Sequence, residues 1–166
     1  MKRSKQPSPK TGRRESSDRD ALNKIFRYCA YQERSHLEVK NKLFEYGLPS
    51  AKVDEIISYL ITEGFLNEER FAKAFAGGKF RIMKWGRLKI QRELESSGVS
   101  TRNIARGLAE ISPSEYSQTL LGLIKKKSDQ VEEDNIYKKK GMVARFVIGK
   151  GYEPELVWEI INNLMS

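Results

Sequence analysis

Eight cationic side chains, Lys79, Arg81, Lys84, Arg87, Lys89, Arg92, Arg102 and Arg106, fall between residues 79 and 106, against only two carboxylates, Glu93 and Glu95. Lysine and arginine at that density neutralise phosphates and release the counterions condensed on a nucleic acid, chemistry that needs charge and spacing rather than a pocket. The flanking stretches are balanced: residues 21–78 carry 8 basic and 8 acidic side chains, and residues 107–166 carry 8 and 9. A solvated helix face explains a scattered excess, whereas charge segregated into one stretch favours a contact surface. Two further runs, Lys125, Lys126, Lys127 and Lys138, Lys139, Lys140, bracket the acidic residues Asp129 to Asp134 and are either a second contact surface or a solubilising hairpin. Phe80 and Trp85 lie among the cations, where an aromatic ring either stacks on bases or packs between helices.

Catalysis has little to work with. No Gly-x-x-x-x-Gly-Lys-Ser/Thr loop occurs; Gly77, Gly78 and Lys79 are followed by Phe80, and these glycines are expected to bend a helix. Glu132, Glu133 and Asp134 are adjacent and point in different directions, as acids in an exposed loop do, so no metal is expected. The single histidine, His36, opens a helix as a surface or capping residue, and the single cysteine, Cys29, reads as a core residue. One cysteine excludes an internal disulfide framework and fits a reducing, cytoplasmic setting. The longest apolar run, Leu120 to Ile124, is interrupted by Gly122 and is far too short to span a membrane. The expected protein is neither an enzyme nor a cofactor carrier.

The 166 residues, 39% hydrophobic and carrying a net charge of +9, can bury a real core, and an internal repeat says how. Leu37, Val39, Leu43, Gly47, Leu48, Val53, Ile57 and Leu60 recur as Leu88, Ile90, Leu94, Gly98, Val99, Ile104, Leu108 and Ile111. They recur again as Gly141, Val143, Val147, Gly151, Tyr152, Val157, Ile161 and Leu164, where only the first position loses its apolar character. Within a copy, Val53, Ile56, Ile57, Leu60 and Ile61 follow the i, i+3, i+4, i+7, i+8 stripe of an amphipathic helix, and Val157, Ile160, Ile161, Leu164 and Met165 repeat it. The phased glycines fall where a helix ends in the left-handed region. Ser35 with Glu38, and Ser112 with Glu115, form capping boxes, while Asn67 is placed to cap another helix. A further helix precedes each pair, over about 21–31, 68–83 and 114–128.

These signals predict an all-α fold of three tandem three-helix repeats, over 21–66, 67–112 and 113–166, stacked through shared cores into an elongated, curved array. Residues 1–20 carry 7 basic and 3 acidic side chains with two prolines and little apolar content, and read as a disordered basic arm able to add attraction to DNA. A monomer is expected.

Arg34, Ser35, Glu38, Val39, Lys42 and Leu43, then Gly64 to Ala72, then Lys84, Trp85, Gly86 and Arg87 through Ile90 to Glu93 and Leu94, resemble the RecX regulatory proteins of bacteria. The resemblance runs over 21–166 and is weakest in the third repeat; Asn67 stands where the family commonly has aspartate. It implies three three-helix repeats and a regulator of DNA repair and recombination. Such a protein binds the RecA recombinase filament on single- or double-stranded DNA and restrains its ATPase and strand exchange. The rival is a stand-alone regulator resembling a helix-turn-helix protein, with Thr101, Arg102 and Asn103 opening a helix that reads base edges. The equivalent helix of the first repeat opens with Ala51, Lys52, Val53, Asp54 and Glu55, whose acids phosphates repel.

Overall fold

The computed structural model describes residues 11–166, with side chains from Ser17 onward. Among the described residues there are nine helices and no strand: α1 (Thr11–Tyr31), α2 (His36–Glu45), α3 (Ser50–Thr62), α4 (Glu68–Met83), α5 (Arg87–Ser96), α6 (Thr101–Leu108), α7 (Pro113–Gln130), α8 (Ile136–Gly149) and α9 (Pro154–Leu164). The fold is all-α. The chain divides into two compact units, up to Asn67 and from Glu68 onward.

The first unit contains α1–α3 around Ala21, Ile25, Val39, Leu43, Leu48, Val53, Ile56, Leu60 and Leu66, all buried. Ser35 starts α2 as its spacing predicts: its hydroxyl accepts from the Glu38 amide at 3.0 Å. Cys29 is half-buried and packs against this core from its edge. His36 opens α2 half-buried rather than on the surface, and its Nε2 is buried without a hydrogen-bond partner.

One expectation is corrected here. The segment read as a disordered arm is helical from Thr11 onward; residues 1–10 lie outside the described residues. Residues 13–20 are Arg, Glu, Asp and Ser with no proline. Once Ala21 and Ile25 are anchored in the core, propagating a helix backwards through such residues needs no core of its own. Asp18 also reaches α3, its carboxylate 3.9 Å from the Lys52 ammonium.

The second unit contains α4–α9 around one continuous core that draws on both triplets: Phe71, Phe80, Ile90, Leu94, Ile104 and Ile111 pack with Tyr116, Leu120, Ile124, Val143, Val147, Tyr152, Val157 and Ile161. Helix α4 runs unbroken through Gly77 and Gly78. Its small buried residues Ala72, Ala76 and Gly77 open a face on which α6 lies, so close that a Cβ on Gly107 would meet the Ala72 carbonyl oxygen at 2.7 Å. Ser100 caps α6 through the Asn103 amide, and Ser112 caps α7 through the Glu115 amide.

The repeat explains its own imperfections. Its second, third, fifth and sixth positions are buried in all three copies, whereas Leu37 and Leu88 at the first position are 42% and 39% exposed, so Gly141 gives up no buried contact there. At the last position Leu60 and Ile111 are buried but Leu164 is 41% exposed, and Met165, just past α9, is buried instead. Gly47, Gly98 and Gly151 all have positive φ, at 84°, 76° and 102°. Only Gly151 is also pressed against a neighbour. A Cβ there would lie 2.4 Å from the Cβ of Lys89, and one on Gly86 would lie 2.2 Å from the Gly151 carbonyl carbon. The two backbones bond directly: the Gly86 amide donates to the Lys150 carbonyl at 2.8 Å, and the Leu88 amide to the Gly151 carbonyl at 2.9 Å.

Gly86→Ala forces a methyl into that backbone contact and is expected to destabilise the protein by about 3 kcal/mol. Gly122→Ala, on the open side of α7 where a Cβ meets nothing within 4 Å, is expected to stabilise by about 0.5–1 kcal/mol. Urea unfolding followed by circular dichroism reads both, and an unchanged midpoint for Gly86→Ala contradicts the contact.

Candidate nucleic-acid interface

All fourteen cations singled out in the two clusters lie in the second unit, but the structure sorts them by what they touch. Arg87, at the start of α5, is a structural residue. Its guanidinium lies 3.9 Å from the centre of the Tyr116 ring and 3.3 Å from the Glu153 carboxylate. The Tyr116 hydroxyl accepts from the Arg87 amide at 3.1 Å and donates to Glu153, and the Tyr152 hydroxyl donates to the Lys84 carbonyl at 3.0 Å. Burial above all, then the bond to Glu153, pushes the Tyr116 phenol well above its ordinary value, and burial does the same to Tyr152. Both phenols therefore stay neutral and act as fixed hydrogen-bond bridges between the second and third triplets.

Arg106 is likewise committed, to Glu69 at 2.7 Å. Lys73, and behind it Arg106, hold the Glu69 carboxyl below the usual carboxylate range. Beside it, Ser100 and Asn103 both donate to Glu68, tying the start of α6 onto α4. Of the three residues that the base-reading rival names, Asn103 has its amide nitrogen engaged inside the protein, whereas Thr101 and Arg102 are exposed.

Lys79 and Lys89 lie over the Trp85 ring, at 5.0 and 4.4 Å from its centre, while the Phe75 ring packs edge-to-face with the indole, the ring centres 6.4 Å apart. Trp85 is half-buried and serves as the apolar seat for two ammonium groups. Arg81, Lys84, Arg92 and Arg102 are exposed, and none makes an ion pair with a described residue. The Arg81 guanidinium lies along its own helix beside Gly77, where a Cβ would meet it at 2.7 Å. Lys84 has φ 55°, a left-handed conformation that costs a lysine about 1 kcal/mol and is held here by the Tyr152 bond and by the Phe80 carbonyl, which accepts from the Lys84 amide at 3.0 Å.

In the second cluster Lys125, Lys126 and Lys138 are exposed, Lys127 lies 4.4 Å from the centre of the Phe146 ring, Lys139 is half-buried, and Lys140 is 3.5 Å from the Asn162 amide oxygen. The acidic stretch between the runs is partly structural: Glu133 accepts from the Asn135 amide, and Asn135 caps α8 by accepting from the amides of Tyr137 and Lys138. Lys84 and Lys126, placed in different clusters by sequence, line one groove of about 320 Å³ together with Gln118, Thr119, Gly122 and Leu123. Tyr116, Tyr152 and Glu153 do not stand out as functional by type or spacing; the one signal is the tyrosine at the position occupied by Leu48 and Val99 in the other copies. No described helix is long and apolar enough to cross a membrane, and no three described His, Cys, Asp or Glu side chains are grouped to hold a metal.

Consecutive helix triplets, the second carrying the exposed cations Arg81, Lys84, Arg92 and Arg102, define a tandem three-helix-domain protein. Residues 21–60 match the family model described as the first three-helix domain of RecX, and residues 67–108 match the second. The regulatory proteins RecX of Bacillus cereus strain AH820 and Bacillus thuringiensis strain Al Hakam are each 25% identical to this chain over 130 residues, covering 78% of it and 48% of their own length. The chain thus spans about half the length of the curated relatives it matches. The crystal structure of RecX from Lactobacillus salivarius superposes with a TM-score of 0.80 at 20% identity, over 90% of this chain and 97% of that one. A second RecX crystal structure does so with a TM-score of 0.80 at 18% identity, over 98% and 82%. The chain belongs to the RecX family.

The sorting of cations has a direct test. Arg87→Ala removes the ion pair to Glu153 and the guanidinium beside the Tyr116 ring while leaving the backbone bond to the Tyr116 hydroxyl, and is expected to cost about 1–2 kcal/mol of stability. Arg92→Ala and Arg102→Ala are expected to stay within about 0.5 kcal/mol of the parent. Thermal unfolding of the three variants distinguishes them, and equal midpoints contradict the assignment.

Proposed function

We propose that this protein binds the filament that the RecA recombinase forms on DNA and restrains its ATP hydrolysis and strand exchange. The observation that carries the reading is the match of two consecutive RecX domains, in order, to residues 21–60 and 67–108. The physical features support it. The second unit offers Arg81, Lys84, Arg92 and Arg102 as unpaired cations on a rigid helical body, a surface suited to a charged polymer rather than a small substrate. Restraint follows if the protein binds one filament state more tightly than another, because a ligand shifts an equilibrium only through differential affinity. The hydrolytic step then belongs to the partner. The base-reading alternative keeps Thr101 and Arg102 exposed, but its third residue, Asn103, is bonded to Glu68.

The test is the single-strand-dependent ATPase and strand exchange of the cognate RecA with and without this protein, over a range of salt. Inhibition that weakens as salt rises supports the reading. The triple variant Arg81→Ala, Arg92→Ala, Arg102→Ala is expected to fold normally and to lower the salt slope of filament binding by about 0.7–0.9 for each phosphate it no longer neutralises. Unaltered RecA activity at saturating protein would sink the proposal.

A further inference from the structure

The groove between the α4–α5 junction and α7 combines three features that the charge pattern alone does not link. It is lined by two lysines, Lys84 and Lys126, by Gln118 and Thr119, and by no acidic residue. Gly122 and Leu123 complete the lining, and nothing lies within 4 Å of the place where a Gly122 side chain would begin, so the groove stays open along α7. Lys84 stands in the left-handed backbone region, where glycine would sit without strain, so this groove-lining lysine is held at a conformational cost.

From this we infer that the groove is a binding site for the phosphodiester backbone of a single DNA strand, with Lys84 and Lys126 neutralising the phosphates and Gln118 and Thr119 hydrogen-bonding their oxygens. The inference rests on the DNA-filament reading above and gives it a location. Two cationic and two neutral polar side chains lining one groove, with no acidic residue among them, match an anionic chain. A single strand also offers unstacked bases. Ile82 and Met83, the two residues before Lys84, are 80% and 48% exposed and leave apolar surface at the end of α4. A positively charged groove that tracks the backbone is the part of sequence-tolerant single-strand binding that this surface offers.

The experiment is fluorescence anisotropy of a labelled oligothymidylate with the full chain at several salt concentrations, without recombinase. Gly122→Glu places a carboxylate in the groove and is expected to weaken binding at least about tenfold, a loss of about 1.4 kcal/mol. Gly122→Lys is expected to tighten it. The double variant Lys84→Gly, Lys126→Ala relieves the backbone strain and removes both charges, and is expected to lower the salt slope by about 1.4, two phosphates at about 0.7 each. It carries the test by itself if Gly122→Glu fails to fold by circular dichroism. Unchanged affinity and slope in the folded variants overturn the site. Equal losses for a duplex of the same length overturn its assignment to a single strand, and displacement by polyglutamate from the parent but not from the variants reassigns it to an acidic polypeptide. Loss of the site while RecA inhibition persists leaves the proposed function standing, so the two failures are separable.

Discussion

The second unit depends on two glycines that let backbone touch backbone. Gly86, at the start of α5, and Gly151, just past α8, approach so closely that neither tolerates a Cβ, and the Gly86 and Leu88 amides donate across the contact to Lys150 and Gly151. That contact joins a helix start in one triplet to a helix end in the next. Around it, Tyr152 reaches the Lys84 carbonyl, and Tyr116, Arg87 and Glu153 close a second bridge. Buried amides bonded across an element boundary are costly to expose, so the two triplets behave as one body with one core. The left-handed turn at Lys84 follows from the same contact, since the chain must leave α4 and enter α5 with Gly86 already seated.

The contact also decides which cations are left over. Arg87 is committed to the bridge and Arg106 to Glu69, while Lys79 and Lys89 rest on Trp85. What remains facing solvent from the basic unit is Arg81, Lys84, Arg92 and Arg102, to which α7 adds Lys125 and Lys126. A cation engaged in a partly buried pair has given up most of its attraction for an outside phosphate, whereas an unpaired exposed one retains it and responds to salt. The exposed, unpaired positive charge of the unit therefore rests on fewer residues than its composition suggests.

Much of the fold is legible in the sequence because burial imposes a period. Val39, Ile90 and Val143 recur in phase because each is fully buried, and Gly47, Gly98 and Gly151 because each helix must end in the left-handed region. The helix over 68–83 is readable from its flanks for the same reason. Charge offers no such guide. Arg87 and Arg92 are indistinguishable by type and neighbourhood, and what separates them is Glu153, 66 residues beyond Arg87. The divergence of the third copy looks like weakness in the sequence, although Tyr152 in place of Leu48 and Val99 is where that copy is fastened to the second. Composition misleads at residues 11–20, because a helix anchored at one end needs no apolar content to continue.

The most direct test of this account is native-state hydrogen exchange at the Gly86 and Leu88 amides, whose backbone acceptors belong to the next triplet. If the backbone contact unites α4–α9, both amides exchange only through global unfolding of the unit, with the same free energy and denaturant dependence as the core amides of Ile90 and Val147. Exchange at a distinctly lower free energy, while Ile90 stays protected, would show the third triplet detaching by itself and would contradict the claim that one contact organises the whole unit.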